Sequence, residues 1–405
     1  MDDFSDLLPR FDLRGMDLQL DRMQAALQEL ANPAATIPAI QVVGTNGKGS
    51  IVRFLESALC TSGISCGVTT SPHLVSWCER IRINETAIST HALRELLLDL
   101  QGVSQRHKLT PFELLITASL VAFEQESPDL LLLEVGLGGR LDATTAHPRR
   151  PVIAMASIGL DHCEHLGSTL SAIAAEKAAA IPKHATVISA DQAPAVRAVL
   201  EETCREQQAN LHWVNPLPDD WQLGLMGNIQ RSNAAVALGA LQALEPLGWR
   251  ISDADIRTGF QRARWPGRLQ TVRWRGHPLR LDGAHNPPAA RQLACERHNW
   301  PGAEQGVTWI LAIQAHKDAV AMLNALVEPN DQVWVVPVPG HTSWSREALV
   351  NAMPARASQL KRADNVAAVL GALSLESSWP KPMPTVAGSL YLIGDLFSRN
   401  VVRAE

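Results

Sequence analysis

The sequence predicts an α/β protein: a larger P-loop α/β domain followed by a smaller Rossmann-like α/β domain. Three observations carry that prediction. A short apolar run at 40–43 leads into Gly44-Thr45-Asn46-Gly47-Lys48-Gly49-Ser50 and then a helical pattern at about 50–58. Apolar runs at 129–135 and 152–157 read as strands buried on both faces, which is how parallel strands look. Past Trp265-Pro266-Gly267-Arg268 the alternation of strand and helix patterns restarts. The boundary is therefore placed at that turn, giving domains of 1–265 and 266–405.

Taken in order, residues 16–30 show helical spacing of Leu18, Met23, Ala26, Leu27 and Leu30. The 40–43 strand and the P-loop helix follow, then a strand at 67–70 that ends at Ser71-Pro72-His73-Leu74. Thr110-Pro111-Phe112-Glu113 opens a helix, with Thr as N-cap, Pro in the first turn and Glu at the third helical position. The strand at 129–135 contains a carboxylate, Glu134, at its end. The strand at 152–157 leads to Asp161-His162, and a helix at about 168–180 is stopped by Pro182. Short β-type segments and proline-rich turns fill about 209–227, and a helix follows Arg231. In the second domain, strands are expected at about 278–282, 307–313, 332–337 and 389–393. Helices are expected at about 287–299, 317–327, 363–372 and 395–403, making a mostly parallel sheet.

Composition narrows the function. With 405 residues and 46% apolar content, the chain has ample material for several cores. A net charge of −5 gives no general affinity for nucleic acid. A protein of this charge that handles ATP must concentrate its cations locally, as at Lys48, Arg80, Arg82 and Arg268. The six cysteines form no C-x-x-C pair, which reads as reduced thiols in a cytoplasmic protein. The acidic start Met1-Asp2-Asp3 lacks the apolar stretch of a secretory signal. No apolar run approaches the ~20 residues of a membrane span.

The glycine-rich turn carries the most chemistry. Its glycines let the backbone curl so that N–H groups face an anion, and the helix N-terminus adds positive potential. In such a loop Lys48 reaches the terminal phosphates and the Ser50 hydroxyl ligates Mg²⁺. Gly49 separates the lysine from the serine, a departure from the common pattern. Ligands of open α/β sheets bind at the carboxyl ends of strands. Four such ends here are polar: 44–50, 71–74, 134–142 and 161–162. A carboxylate closing an apolar strand is costly to bury without a cation, so Glu134 is a candidate metal-side acid.

These blocks resemble the folylpolyglutamate synthase/dihydrofolate synthase family of the Mur ligase superfamily. The resemblance rests on Gly44-Thr45-Asn46-Gly47-Lys48-Gly49-Ser50, on Ser71-Pro72-His73-Leu74 with Glu79-Arg80-Ile81, and on Leu133-Glu134-Val135-Gly136-Leu137-Gly138-Gly139-Arg140-Leu141-Asp142-Ala143-Thr144. It continues through Leu160-Asp161-His162, Glu176-Lys177-Ala178, Pro266-Gly267-Arg268 and Asp282-Gly283-Ala284-His285-Asn286-Pro287, covering nearly the whole chain. Mur cell-wall ligases usually carry Thr where this chain has Gly49, which favours the folate branch.

The resemblance implies an ATP-dependent ligase that adds L-glutamate to dihydropteroate, to reduced folates, or to both. The acceptor carboxylate first attacks the γ-phosphate, and the glutamate amine then displaces phosphate from the acyl phosphate. It implies Mg²⁺ held by Ser50, Ser71, Glu134 and His162, with a carbamylated Lys177 beside it. The ordinary reading of Lys177 is a last-turn lysine complementing the helix dipole, and that of His162 a capping or core histidine. ATP contacts map onto Gly44 to Ser50, and onto Asn233, Arg268, Asp282 and His285 reaching from the far side. Folate contacts map onto Met16, Asp17, Leu18 and Gln19, onto Thr110, Pro111, Phe112 and Glu113, and onto Leu141, Asp142 and Ala143. Phe112 can stack on a pterin, and Asp17 or Asp142 can accept its N–H groups. Phe112 as plain core and Glu113 as a capping-box residue are the alternatives. Arg80 and Arg82 can hold glutamyl carboxylates or simply form a solvated strand face.

The expected enzyme is a cytoplasmic monomer with no nucleic-acid or membrane partner. Its site closes when the two domains meet over ATP, with the turn at 265–267 as hinge. A monofunctional folylpolyglutamate synthase and, more distantly, a Mur-type amino-acid ligase are the rivals. A P-loop switch protein would need an Asn-Lys-x-Asp motif after a strand, and the sequence has none.

Overall fold

A computed structural model of the chain describes residues 4–8 and 19–404. Two sheets organise it, and the chain divides into two compact units. One holds the residues up to Gly224 together with Gln230–Arg264. The other holds Leu225–Ile229 together with the chain from Trp265 onward.

The first sheet has eight strands: β1 (Ala39–Val43), β2 (Cys66–Thr69), β3 (Ile81–Ile83), β4 (Thr86–Ala87), β5 (Leu130–Glu134), β6 (Val152–Met155), β7 (Thr186–Ala190) and β8 (Asn210–Val214). Their order is β4-β3-β2-β5-β1-β6-β7-β8. Strands β2, β5, β1, β6, β7 and β8 run parallel, while β3 and β4 form an antiparallel edge. The order fixes the site. From β1 the chain crosses to β2, leaves a gap that β5 later fills, and then moves to the other side through β6. That reversal makes the carboxyl end of β1 a switch point, where a crevice opens between diverging crossovers. The register pairs Val42 with Glu134, Thr69 with Leu133 and Val43 with Met155. The polar ends of β2, β5, β1 and β6 therefore lie side by side.

The helices follow local chemistry. The helix Pro111–Glu126 starts as the sequence predicts. Thr110 Oγ1 accepts from the Glu113 backbone N–H, and the Glu113 carboxylate accepts from the Thr110 N–H, with Pro111 in the first turn. Glu113 also pairs with Arg22 at 2.9 Å, so the capping-box reading of this residue holds. The predicted helix at 16–30 is observed as Leu20–Glu29. The P-loop helix is longer than its pattern suggests, Lys48–Thr61. One face of the sheet packs on a core that includes Met23, Leu93, Leu97, Leu114 and Phe123. A second core includes Val43, Val135, Met155, Ile173 and Leu200.

The second sheet has the order β13-β12-β11-β14-β10-β9-β15. Its members are β9 (Gln270–Trp274), β10 (His277–Leu281), β11 (Thr308–Leu311), β12 (Gln332–Val335), β13 (Leu360–Arg362), β14 (Thr385–Ala387) and β15 (Arg403–Ala404). The five strands from β13 to β10 run parallel, with β9 and β15 antiparallel at one edge. The expectation of a strand at 389–393 fails. That stretch opens the helix Leu390–Ser398, with Ser389 as N-cap accepting from the Leu392 N–H, and the strand lies earlier at Thr385–Ala387. A short apolar run is compatible with either buried element, and the cap decided it. Among the described residues no helix is long and apolar enough to cross a membrane.

Candidate active site

The P-loop leaves β1 at Gly44, and Gly47 caps the helix Lys48–Thr61 with φ +94°. A Cβ on Gly47 would lie 2.4 Å from Asn233 Oδ1. Both the left-handed backbone and the close approach therefore require glycine. Asn233 is buried on the helix Ile229–Gln242, and its amide donates to Gln230 Oε1 at 3.0 Å. It thus sits in the same unit as the P-loop, against the loop itself. The loop is held from β6's side. Thr45 and Asn46 donate their N–H groups to Ser157 O, and Thr45 Oγ1 and Gly159 exchange hydrogen bonds at 3.1 Å. Lys48 Nζ donates to Gly44 O and Thr45 O, each at 3.2 Å. Ser50 is buried in the first turn, beside Gly49.

Lys177 comes from the last turn of the helix Leu170–Ala178. It is the basic residue of that last turn, as its ordinary reading expects, but it is only 4% exposed. Its Nζ donates to the same Gly44 O at 2.9 Å. Burial, joined by the Lys48 charge, pulls its ammonium from 10.5 down to about 7, against the opposing pull of Asp161 and Asp142. Two lysines thus converge on one P-loop carbonyl, and one of them sheds its proton near neutral pH.

Glu134 closes β5 at 4% exposure, and its Oε2 accepts from the Ser71 N–H at 3.1 Å. The Ser71 loop is tied down in turn by Glu79, whose carboxylate accepts from the N–H groups of Leu74, Val75 and Ser76. His162 follows β6, adopts φ +50° and immediately precedes the short helix Cys163–Leu166. Its N–H is accepted by Asp161 Oδ1 at 3.0 Å, and its side chain makes no capping bond. Among the described residues no three His, Cys, Asp or Glu side chains form a metal-binding group. Serine hydroxyls and one carboxylate suit a hard divalent ion that takes its remaining oxygens from phosphates.

The loop after Glu134 is shaped by Asp142. Its Oδ2 accepts from the Gly136 and Leu137 N–H groups, and its Oδ1 from the Thr144 N–H and hydroxyl, at 2.6–3.0 Å. Burial raises its carboxyl above the usual range, against those four donors. At 1% exposure the carboxylate serves its own loop, and does not present the outward acceptor expected for a pterin N–H. Gly139 lies against the end of the Lys177 helix, where a Cβ would come within 2.7 Å of Lys177 O. Behind the loop, Gln41 Nε2 donates to Thr144 and Thr145 hydroxyls, and Arg150 donates to Gln41 Oε1 and Ala180 O. This network was invisible in the sequence, where Gln41 reads as one polar residue in a strand.

Phe112 is half-buried and packs over Gly136, while Leu141 stays exposed and Ala143 is buried. Gln19 is exposed at the start of Leu20–Glu29. Met16, Asp17 and Leu18 lie outside the described residues. Neither reading of the two arginines survives for Arg82. It is buried and paired with the fully buried Glu56 at 2.7 Å, and it also donates to Thr70 and Glu79 O. Arg80 donates to His73 Nδ1 at 2.9 Å and lies over the Trp77 ring.

In the second unit, Asp282 follows β10 and accepts from the N–H groups of Leu269 at 3.0 Å and Ala284 at 2.9 Å. Desolvation pushes its carboxyl up, opposed first by Arg268. The Arg268 guanidinium passes so close to Gly283 that a Cβ there would lie 2.6 Å from Nη1. His285 Nδ1 meets Gly283 O at 2.8 Å, just before the helix Pro287–Arg297. Arg268, Asp282 and His285 therefore form one cluster.

Comparison with known proteins agrees with this architecture. The family described as dihydrofolate synthetase, C-terminal domain, matches residues 268–399. Dihydrofolate synthetase of Saccharomyces cerevisiae is 32% identical over 78% of this chain and 81% of its own length. The chain belongs to the dihydrofolate synthase/folylpolyglutamate synthase family. Solved structures extend the likeness to the whole fold. Escherichia coli FolC in complex with DHPP and ADP superposes with a TM-score of 0.81 at 28% identity, covering 95% of this chain and 94% of that one. A bifunctional folylpolyglutamate synthase/dihydrofolate synthase from Yersinia pestis, complexed with AMPPNP and Mn ion, gives 0.83 at 26%, covering 96% and 94%. The family's two-part α/β architecture is the one described above.

Proposed function

We propose that this chain is an ATP-dependent ligase that joins the carboxylate of dihydropteroate, and of reduced folates, to the amine of L-glutamate through an acyl phosphate. The observation that carries the chemistry is the convergence of Lys48, Lys177 and the P-loop on a strand end beside Glu134. The folate substrate class rests on family membership, and on relatives crystallised with DHPP and with an ATP analogue.

The residues divide the work as follows. The loop 44–50 cradles the phosphates, and Lys48 moves from its loop carbonyls to the transferred phosphoryl group. Mg²⁺ fits the donor set of Ser50, Ser71 and Glu134, with His162 nearby in sequence to the β6 end; when bound it neutralises charge on the transferring phosphate. Lys177, whose amine is neutral near pH 7, takes up CO₂ to become a carbamate and supplies a further oxygen donor. Arg268 stabilises charge developing on the phosphoryl group, and Asp282 orders the backbone around it. Asn233 acts on the nucleotide side through its contact with Gly47. Phe112, Leu141 and Gln19 contribute to folate binding, with Asp142 holding the loop of Leu141 in shape. The enzyme works in the cytoplasm.

The test is coupled ADP release with ATP, glutamate and either dihydropteroate or a reduced folate, each omitted in turn. Release is expected only with acceptor and glutamate both present, and with both acceptors. Turnover with the reduced folate alone would make the enzyme a monofunctional folylpolyglutamate synthase. Rapid hydrolysis without any acceptor would refute the ligase reading.

A further inference from the structure

Cys60 and Cys66 lie outside the chemistry described above, yet the fold brings them together. Cys60 is in the last turn of the P-loop helix Lys48–Thr61, and Cys66 is the first residue of β2. Their sulfurs are 3.8 Å apart. Cys60 is half-buried and Cys66 is buried. The intervening turn contains Gly63 at φ +77°, with open space around it. Both ends of the turn are anchored. The Cys66 N–H donates to Asn84 Oδ1 at 2.8 Å, the Ser65 N–H to Asp129 Oδ2 at 2.9 Å, and Ser62 back to the helix carbonyls. The sulfurs therefore meet through the fixed positions of helix and strand rather than by chance approach of a mobile loop. A disulfide would bring the two sulfurs from 3.8 Å to ~2.05 Å.

We propose that Cys60 and Cys66 form a reversible dithiol–disulfide pair, a modification site for low-molecular-weight disulfides, in which Cys60 reacts first, as the attacking thiolate, and Cys66 resolves. The order follows from access and acidity. The contact with Cys66 lowers the Cys60 thiol against the opposing effects of burial and the Glu56 and Glu85 charges, while the same contact and burial push the Cys66 thiol well up. The Cys60 thiolate is the better nucleophile at neutral pH. It attacks one sulfur of glutathione disulfide, and one glutathione leaves as its thiolate. The Cys66 thiol then gives up its proton and attacks the Cys60 sulfur, expelling the second glutathione. Two protein thiols and one glutathione disulfide become one protein disulfide and two glutathiones. The bond would staple the P-loop helix to the strand whose far end leads into Ser71.

The test uses the full chain with Cys163→Ser and Cys295→Ser, which removes the two exposed thiols. The protein is incubated with glutathione disulfide, quenched with an alkylating agent and mapped by mass spectrometry. The expected product has lost two hydrogens, carries a linked peptide pair containing Cys60 and Cys66, and reverts with reduced glutathione. Adding Cys66→Ser should trap a stable glutathione adduct on Cys60. Adding Cys60→Ser should leave Cys66 unmodified. A stable Cys60 adduct in the protein that retains Cys66 would overturn the proposal, as would two free thiols at both positions after oxidation.

Discussion

The sharpest prediction concerns Lys177. At pH 7.4 an amine with pKa about 7 is roughly seven-tenths unprotonated, against roughly one part in a thousand at the ordinary 10.5, a gain of about 10³ in the form that attacks CO₂. The carbamate N–C bond forms at Nζ, a proton leaves to solvent, and the remaining N–H can keep its bond to Gly44 O. Wild-type protein equilibrated with ¹³C-bicarbonate should therefore show a carbamate resonance by NMR that fades as pH falls below about 7. Lys177→Ala should abolish the resonance and lower kcat by at least about 10²-fold, the scale expected for one preorganised electrostatic group. A short carboxylic acid in the medium should restore part of the activity, because it can return an oxygen donor to the space. No carbamate signal between pH 6 and 9 in the metal-loaded enzyme would refute the reasoning. So would Lys177→Arg with full activity, which would show that the positive charge is what matters.

Three other outcomes follow from the same geometry. Because the Lys177 pKa is lowered in the folded state, the unfolded chain holds the extra proton between pH 7 and 10.5, and stability from this group rises with pH across that window. In CO₂-free buffer the advantage of Lys177→Met over wild type should shrink by roughly 2 kcal/mol from pH 7 to 9 in urea titrations; a constant gap would mean the lysine is not desolvated. Arg268→Ala should lower kcat about 10²–10³-fold with little change in Tm, whereas Asp282→Ala should also cost about 1–3 kcal/mol by stranding the Leu269 and Ala284 N–H groups; Asp282→Ala with an unchanged Tm would contradict its structural role. Glu56→Gln should destabilise the fold by about 3–5 kcal/mol in denaturant melts, because Arg82 then loses its buried counter-charge; a change below 1 kcal/mol would show that the pair is solvated.

Local signals were readable where one segment contains its own physics. The P-loop is a strand, a turn and a helix start in about ten residues, and its glycines are the residues that let the backbone curl there, with Gly47 at φ +94°. The Thr110–Glu113 capping box is complete within four residues. The run Leu390-Tyr391-Leu392-Ile393 shows the limit of such signals. Its apolar pattern fits a buried strand or a buried helix, and a serine just before it settled the matter.

By itself the sequence determined the fold class, the family, and which strand ends carry polar chemistry, because periodicity, caps and motif spacing act over short stretches of chain. Only the tertiary structure decided what each polar side chain meets. Lys177 reads as an ordinary last-turn lysine until packing brings Gly44 O, 133 positions earlier in the chain, to its amine. Asp142 reads as a ligand for substrate until its loop folds four donors onto it. Arg82 reads as a surface cation until Glu56 appears beneath it. Cys60 and Cys66 are separated by an unremarked spacing until helix and strand set their sulfurs side by side. Charge, burial and thiol acidity are set by neighbours that are distant in the chain, so they come into being only when the chain has packed.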